Sequence, residues 1–278
     1  MRVVRTRAEL AGALGPGPRA VVMTMGALHE GHLTLVRRAA ELAPEVVVTV
    51  FVNPLQFGAG EDLERYPRDL ARDVALLADT GATLVFAPDV ADVYPTEPVV
   101  TVHAGALGEV LEGAHRPGHF DGVLTVVLKL VHLTRPDVAL FGQKDAQQLM
   151  AVRRMVADLD VGVDVLAVPI VRDVDGVALS SRNAYLDPEQ RLTARALYRS
   201  LEAARGVADG GGGAQEVQAA AAEVLAGADG LEVDYVALVD PDTARAVPAD
   251  RRGPALLAIA ARVGSTRLID NAMMELRQ

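Results

Sequence analysis

"RAVVMTMGALHEGHLTLVRRAAELAPEVVVTVFV", residues 19–52, reads in order as strand, loop, helix and strand. Residues 19–25 are an apolar run of strand length, and residues 32–43 place apolar side chains at helical spacing. Residues 45–52 carry β-branched side chains at consecutive positions, so both faces of that strand are apolar. Such a strand belongs in a parallel sheet covered by helices on each side. The alternation continues along the chain. Residues 69–81 predict a helix closed by glycine, 83–88 a strand, 122–133 a helix and 137–142 a strand. A helix over 146–159 and a strand over 164–170 follow, with Pro169 suited to a strand end. Alternation at this spacing predicts an α/β fold on a doubly wound parallel sheet.

After about residue 172 the pattern changes. Residues 187–208 predict a long helix, "DGGGG" at 209–213 a flexible connector, and 213–230 a second helix. Apolar runs at 231–240 and 255–264 predict strands, so this part reads as a smaller α+β domain.

Composition narrows the function. The 278 residues include no cysteine, which removes disulfides, thiolate metal sites and cysteine nucleophiles. The net charge of −10 lacks the basic stripe that a nucleic-acid or anionic membrane partner requires. "MRVVRTRAEL" has no apolar signal core, and "VVVTVFV" (46–52) is too short to span a bilayer, so a cytoplasmic protein is expected. Of 27 basic residues only Lys129 and Lys144 are lysine. Asparagine occurs at Asn53, Asn183 and Asn271 alone, and serine at Ser180, Ser181, Ser200 and Ser265. A residue type that a chain otherwise avoids marks positions where a substitute would not serve. Lysine's compact charge is one that arginine's planar fork does not imitate.

The unusual clusters fall after predicted strands, where ligands bind in open α/β sheets. "MGALHEGH" follows the first strand of the opening stretch, "NPLQFG" the second, "GQKD" the strand at 137–142, and "VRDVDGVALSSRN" the strand at 164–170. His29 and His32 admit three readings: a metal site, a phosphate site, or a satisfied core pair. They are three apart with glycine between and have no carboxylate cluster nearby, which is not a zincin pair. Gly26 and Gly31 beside a helix start favour phosphate, through close backbone approach and free helix amides. Lys144 at a strand-to-helix turn adds an ammonium, while Asp145 serves either as a ribose acceptor or as a plain helix cap. Ser180, Ser181 and Arg182 offer donors to a polyphosphate and equally form a capping turn.

"MTMGALHEGH" resembles the H-x-G-H signature of the nucleotidylyl-transferase superfamily, and "ALSSRN" its second phosphate motif. The ordered set "MGALHEGHLTLVRRA", "FVNPLQFG", "YPRD", "RPGHFDGVLTVVLKL", "FGQKDAQQL" and "SSRNAYL" resembles the pantoate–β-alanine ligase family. Met23 stands where that family usually has proline. The resemblance implies a Rossmann-like domain over 1–172 and a smaller α+β domain over 173–278 that contributes the SSRN phosphate loop. It implies ATP-dependent joining of pantoate and β-alanine through a pantoyl adenylate, with AMP and pyrophosphate released. Met25, Gly26, Ala27, Leu28, His29, Glu30, Gly31 and His32 are expected to line ATP, with His29, His32 and Lys144 catalytic. Gly142, Gln143, Lys144, Asp145, Val171, Leu179, Ser180, Ser181 and Arg182 are the remaining nucleotide contacts. Gln56 and Gln148 are expected to hold pantoate, Gln56 also bordering the β-alanine site. Asp73 is the expected magnesium position, and Arg116 and His119 are expected near the second substrate or a gating loop. Mg²⁺, a homodimer, and no nucleic-acid or membrane partner complete these expectations.

Two rival readings stay open on the residues themselves. The H-x-G-H loop also serves cytidylyl transfer, and a nucleotide-binding regulator would share the phosphate site without turnover. Pantoate-dependent ATP–pyrophosphate exchange separates all three.

Overall fold

In a computed structural model, described for residues 1–58, 60, 61 and 63–277, six short strands pair in parallel around a valine-rich centre. They are β1 (Arg2–Val4), β2 (Arg19–Thr24), β3 (Glu45–Val50), β4 (Leu84–Phe86), β5 (Val138–Gly142) and β6 (Asp164–Val168). The connecting helices are α1 (Arg7–Ala13), α2 (Glu30–Leu42), α3 (Leu70–Leu77), α4 (Val90–Val93), α5 (Glu112–His115), α6 (His119–Thr134) and α7 (Ala146–Asp158). Strand order is β1-β4-β3-β2-β5-β6, and every pairing is parallel. From β2 the chain moves to β3 and β4 on one side, and later to β5 and β6 on the other. The order therefore reverses at β2 and β5, the switch point where such sheets bind ligands.

Val46, Val47 and Val48 at consecutive positions of β3 are all fully buried, which requires cover on both faces of the sheet. On one face Val22, Val46 and Val48 pack with Leu33, Val36 and Ala39 of α2 and Leu77 of α3. Burying each of these valine and leucine side chains contributes roughly 1.5–3 kcal/mol. At the start of β2, away from the ligand-binding edge, Arg19 is buried. Its guanidinium donates to the carbonyls of Gly15, Thr134 and Arg135 and pairs with Glu45 at 2.5 Å.

The chain divides into two compact units. The first comprises Met1–Gln143 and Ala151–Pro169, and the second Lys144–Met150 and Ile170–Gln278. The second unit contains α8 (Pro188–Asp209), α9 (Ala214–Ala226) and an antiparallel sheet β7-β8-β9 (Leu231–Val239, Gly253–Val263, Thr266–Leu276). Leu197, Leu201 and Ala204 of α8, and Val217 and Ala221 of α9, pack on Leu257, Ile259 and Met274 of its strands. Asp187 caps α8 by accepting from the Gln190 N–H at 2.8 Å.

Several elements differ from the sequence reading. The helix expected over 69–81 closes at Leu77, because Thr80 Oγ1 and N–H turn back to the Leu77 carbonyl. The segments β1 and α1 are ordered, α1 with a reciprocal Thr6–Glu9 capping box. β9 is a full strand that the periodicity did not predict. No described helix is long and apolar enough to cross a membrane.

Candidate functional site

The loop from β2 into α2 is built around two consecutive left-handed residues, Gly26 at φ +83° and Ala27 at φ +50°. That conformation is ordinary for glycine and strained for alanine, so something must hold it. Asp73 of α3 does so: Oδ2 accepts from the Ala27 N–H at 3.0 Å and Oδ1 from the Leu28 N–H at 2.8 Å. Thr24 Oγ1 accepts from the Gly26 N–H at 3.2 Å. A Cβ on Gly26 would lie 2.9 Å from Asp73 Oδ2 and 3.2 Å from a Val50 methyl. The close approach is possible only without a side chain.

Asp73, the expected magnesium position, is thereby tied to the loop from β2 into α2. The carboxylate is 1 % exposed, and each oxygen is already taken by a main-chain donor. An acid bonded in this way shapes the loop. Among the described residues no cluster of three or more histidine and acidic side chains is arranged to hold a metal ion.

The loop ends at His29, the N-cap of α2. The His29 backbone N–H donates to Nδ1 of His32 at 3.3 Å, and the two rings lie 4.1 Å apart with a 40° tilt. A ring nitrogen that accepts carries no proton, so the His32 N–H is at Nε2. Glu30 in the same first turn is exposed and pairs with Arg37, which turns it to the helix surface. The first amides of α2 and the helix dipole favour an anion here. Gly142 closes β5, the neighbour of β2, and Gln143 opens the turn after it. Met25 to His32 and Gly142 thus follow the two adjacent strands of the switch point.

A second wall of the first unit surrounds Gln56, which lies in a single 3-10 turn after β3. Asn53 Nδ2 donates to Gln56 Oε1 at 3.1 Å and to the Gly122 carbonyl at 3.0 Å. Tyr94 donates its hydroxyl to Asn53 Oδ1 at 2.9 Å. With its oxygen occupied, the Gln56 amide turns its NH₂ toward Met25 Sδ, 3.1 Å away. Gly122 permits this packing, since a Cβ there would stand 2.1 Å from the Leu55 carbonyl. Burial pushes the Tyr94 hydroxyl up to about 12, so it remains a donor at any working pH.

His119 and Arg116 lie beneath the same turn. His119 Nδ1 meets the Gln56 carbonyl at 2.8 Å and must donate to it, so Nε2 accepts from Arg116 Nη1 at 3.0 Å. Arg116 also forms a two-pronged pair with Glu61, at 2.6 and 2.8 Å. Burial, with Arg116 adding to it, lowers the His119 imidazole below its ordinary 6.5. The Arg116 guanidinium holds the Glu61 carboxylate below its usual range. The structure thus places Arg116 and His119 against the main chain of Gln56. The sequence assigned no role to Asn53 or Tyr94; the scarcity of asparagine was the one signal that pointed to the former.

The second unit holds the other expected residues. Lys144 is mostly buried, with Nζ 3.6 Å from the Asp145 carboxylate in the 3-10 turn before α7, and Gln148 is half-buried in that helix. Residues 171–179 form a hairpin in which the Leu179 N–H donates to the Val171 carbonyl at 3.0 Å and Arg172 bridges Ala178. Ser180 follows as the cap of the turn Ser181–Tyr185, its Oγ accepting from the Arg182 N–H at 3.3 Å. Asn183 donates to the Ala178 carbonyl at 3.0 Å and ties that turn back to the hairpin. The capping reading of Ser180 is therefore present, and its O–H stays able to donate.

Residues 2–273 match a family model described as Pantoate-beta-alanine ligase. The chain is 58 % identical over 256 residues to "Pantothenate synthetase 4" of Frankia alni, covering 92 % of this chain and 82 % of that one. It is similar to the crystal structure of pantothenate synthetase from Thermus thermophilus, with a TM-score of 0.95 and 50 % identity over 100 % of both chains. It is also similar to a Francisella tularensis ligase, described as complexed with beta-gamma ATP and beta-alanine. There the TM-score is 0.80 and identity 29 %, over 98 % of this chain and 97 % of that one.

Proposed function

The chain belongs to the pantoate-beta-alanine ligase family, and from that premise we propose how its residues join pantoate to β-alanine. It is an ATP-dependent ligase of pantothenate biosynthesis. In the first half-reaction a carboxylate oxygen of pantoate bonds to the α-phosphorus of ATP. The bond from that phosphorus to the bridging oxygen breaks, and pyrophosphate leaves with the electron pair. In the second, the β-alanine amine attacks the acyl carbon of the adenylate. The acyl C–O bond breaks, AMP departs with that oxygen, and the nitrogen loses a proton.

Both halves require alignment and charge stabilisation more than covalent help from the protein. His32 supplies its Nε2–H to the phosphates, with His29 beside it and the α2 amides behind. Such a donor contributes ~10²–10⁴-fold in rate. Alignment of two reactants contributes roughly 7–11 kcal/mol, so positioning outweighs any single donor. Gln56 holds pantoate with a neutral amide, which orients hydroxyls without trapping the attacking carboxylate as an ion pair. Gln148 is the second glutamine assigned to pantoate. Lys144, Ser180, Ser181 and Arg182 are donors to the triphosphate, Val171 and Leu179 contacts to the nucleoside, and Asp145 an acceptor for a ribose hydroxyl. Magnesium would accompany the triphosphate and offset its charge, with Asp73 shaping the loop after β2. A homodimer and a cytoplasmic location accompany this reading.

The observation that carries it is the His29 N–H bond to His32 Nδ1, which leaves Nε2–H as the ring's donor at the switch point. Oxygen-18 in the pantoate carboxylate tests it. One labelled oxygen per turnover is expected in AMP. Label in inorganic phosphate instead would mean an acyl-phosphate route and would overturn the reading.

A further inference from the structure

Two neighbouring residues near the end of the chain, Asp270 and Asn271 on β9, are 3 % and 4 % exposed. Adjacent strand residues point to opposite faces, so a buried polar pair requires two different sets of partners. Asp270, on the face shared with Leu268 and Met274, takes the Arg172 guanidinium in a fork, at 2.6 and 2.9 Å. Arg172 is further fixed by the Gly176 carbonyl at 3.1 Å and by the Tyr198 ring, whose centroid is 4.5 Å away. It is the first bridging residue of the hairpin that delivers Leu179 and Ser180. Asn271 instead donates its side-chain amide to the Lys144 carbonyl at 2.8 Å. The pair is itself locked, since the Asn271 N–H donates to Asp270 Oδ1 at 2.8 Å.

We propose that Asp270 and Asn271 are positioning residues for adenylation, one strand step setting both segments of the second unit that serve the triphosphate. This deepens the ligase reading and rests on it. Asp270 sets the Ser180–Arg182 turn through Arg172, and Asn271 sets the main chain that carries the Lys144 ammonium. Neither touches substrate. The β8–β9 ladder is continuous through both, pairing Asp270 with Ile259 and Asn271 with Ala258, so the anchor is rigid. The second half-reaction has no triphosphate left to hold, and this separates positioning from a general structural role.

The test uses the full chain with Asn271→Ala and with Asn271→Asp, the second keeping the shape while replacing the donor with an acceptor. Pantoate-dependent ATP–pyrophosphate exchange is expected to fall about tenfold or more, with a raised KM for ATP. Pantothenate formation from supplied pantoyl adenylate and β-alanine should stay within about twofold of the parent. Asp270→Asn should repeat the pattern and Asp270→Glu restore part of the exchange. Equal losses in both half-reactions, or unchanged exchange in folded variants, would overturn the proposal. Lack of pantoate-dependent exchange in the unsubstituted chain is a different failure, which removes the ligase reading beneath it.

Discussion

The main-chain N–H of His29 donates to Nδ1 of His32 across 3.3 Å, and this one bond decides which nitrogen of the second ring carries hydrogen. A glutamine at position 32 extends its amide toward where Nε2 stands, while an asparagine reaches only the place of Nδ1. His32→Gln should therefore retain more pantoate-dependent exchange than His32→Asn. His32→Ala should lose about 10²–10⁴-fold. Melting temperatures should stay close to the parent, since the ring is not part of the core.

Asp73 holds the strained step at Ala27, and Gly26 leaves it room. Asp73→Asn puts an NH₂ against one main-chain donor and should cost about 1–3 kcal/mol in urea unfolding. Exchange should fall with it. The magnesium concentration giving half-maximal rate should not move. A large shift in that concentration would return Asp73 to the metal. Gly26→Ala should be at least as damaging, through the 2.9 Å contact and the positive φ.

The imidazole of His119 accepts from Arg116 and donates to the Gln56 carbonyl, an arrangement available only without a second proton. Its folded value lies below the ordinary 6.5, chiefly through burial and then through Arg116. Between the two values the unfolded chain binds more protons than the folded one, so stability is full above 6.5. It is lost as pH falls from there through the folded value. Urea midpoints between pH 7.5 and pH 5 should fall more steeply in the parent than in His119→Gln. The KM for pantoate should rise over the same interval, because protonation breaks the support under Gln56.

Asn53 fixes the orientation of the Gln56 amide, and Tyr94 fixes Asn53. Asn53→Ala should raise the KM for pantoate about tenfold, more than it lowers kcat, because it frees a side chain that binds substrate. Tyr94→Phe removes only the outer hydrogen bond. It should cost roughly 0.5–1.5 kcal/mol of stability, with a smaller change in KM.

The strand–loop–helix–strand stretch was legible because its signal is local: β-branched runs give β2 and β3, and helical spacing gives α2. The motif loops were legible for the same reason, each lying within a few residues of a strand end. What stayed hidden depends on distant pairs. Asp73 reads as one acid on a helix until the fold sets it beside Ala27, 46 positions earlier. β9 went unpredicted because Asp270 and Asn271 interrupt its apolar alternation, and they do so in order to hold the Arg172 hairpin and the Lys144 turn. Scarcity was a better guide than it first seemed. It singled out Lys144, yet all three asparagines donate their side-chain amides to oxygens that shape the expected site: Asn53 to Gln56, Asn183 to Ala178 and Asn271 to Lys144.

The most direct measurement is isotope exchange between labelled pyrophosphate and ATP by the purified chain, without β-alanine. The account predicts exchange that starts on addition of pantoate, is specific for ATP over CTP, and is nearly abolished in His32→Ala. Exchange that proceeds without pantoate, or that appears only once β-alanine is present, would contradict an enzyme-bound pantoyl adenylate.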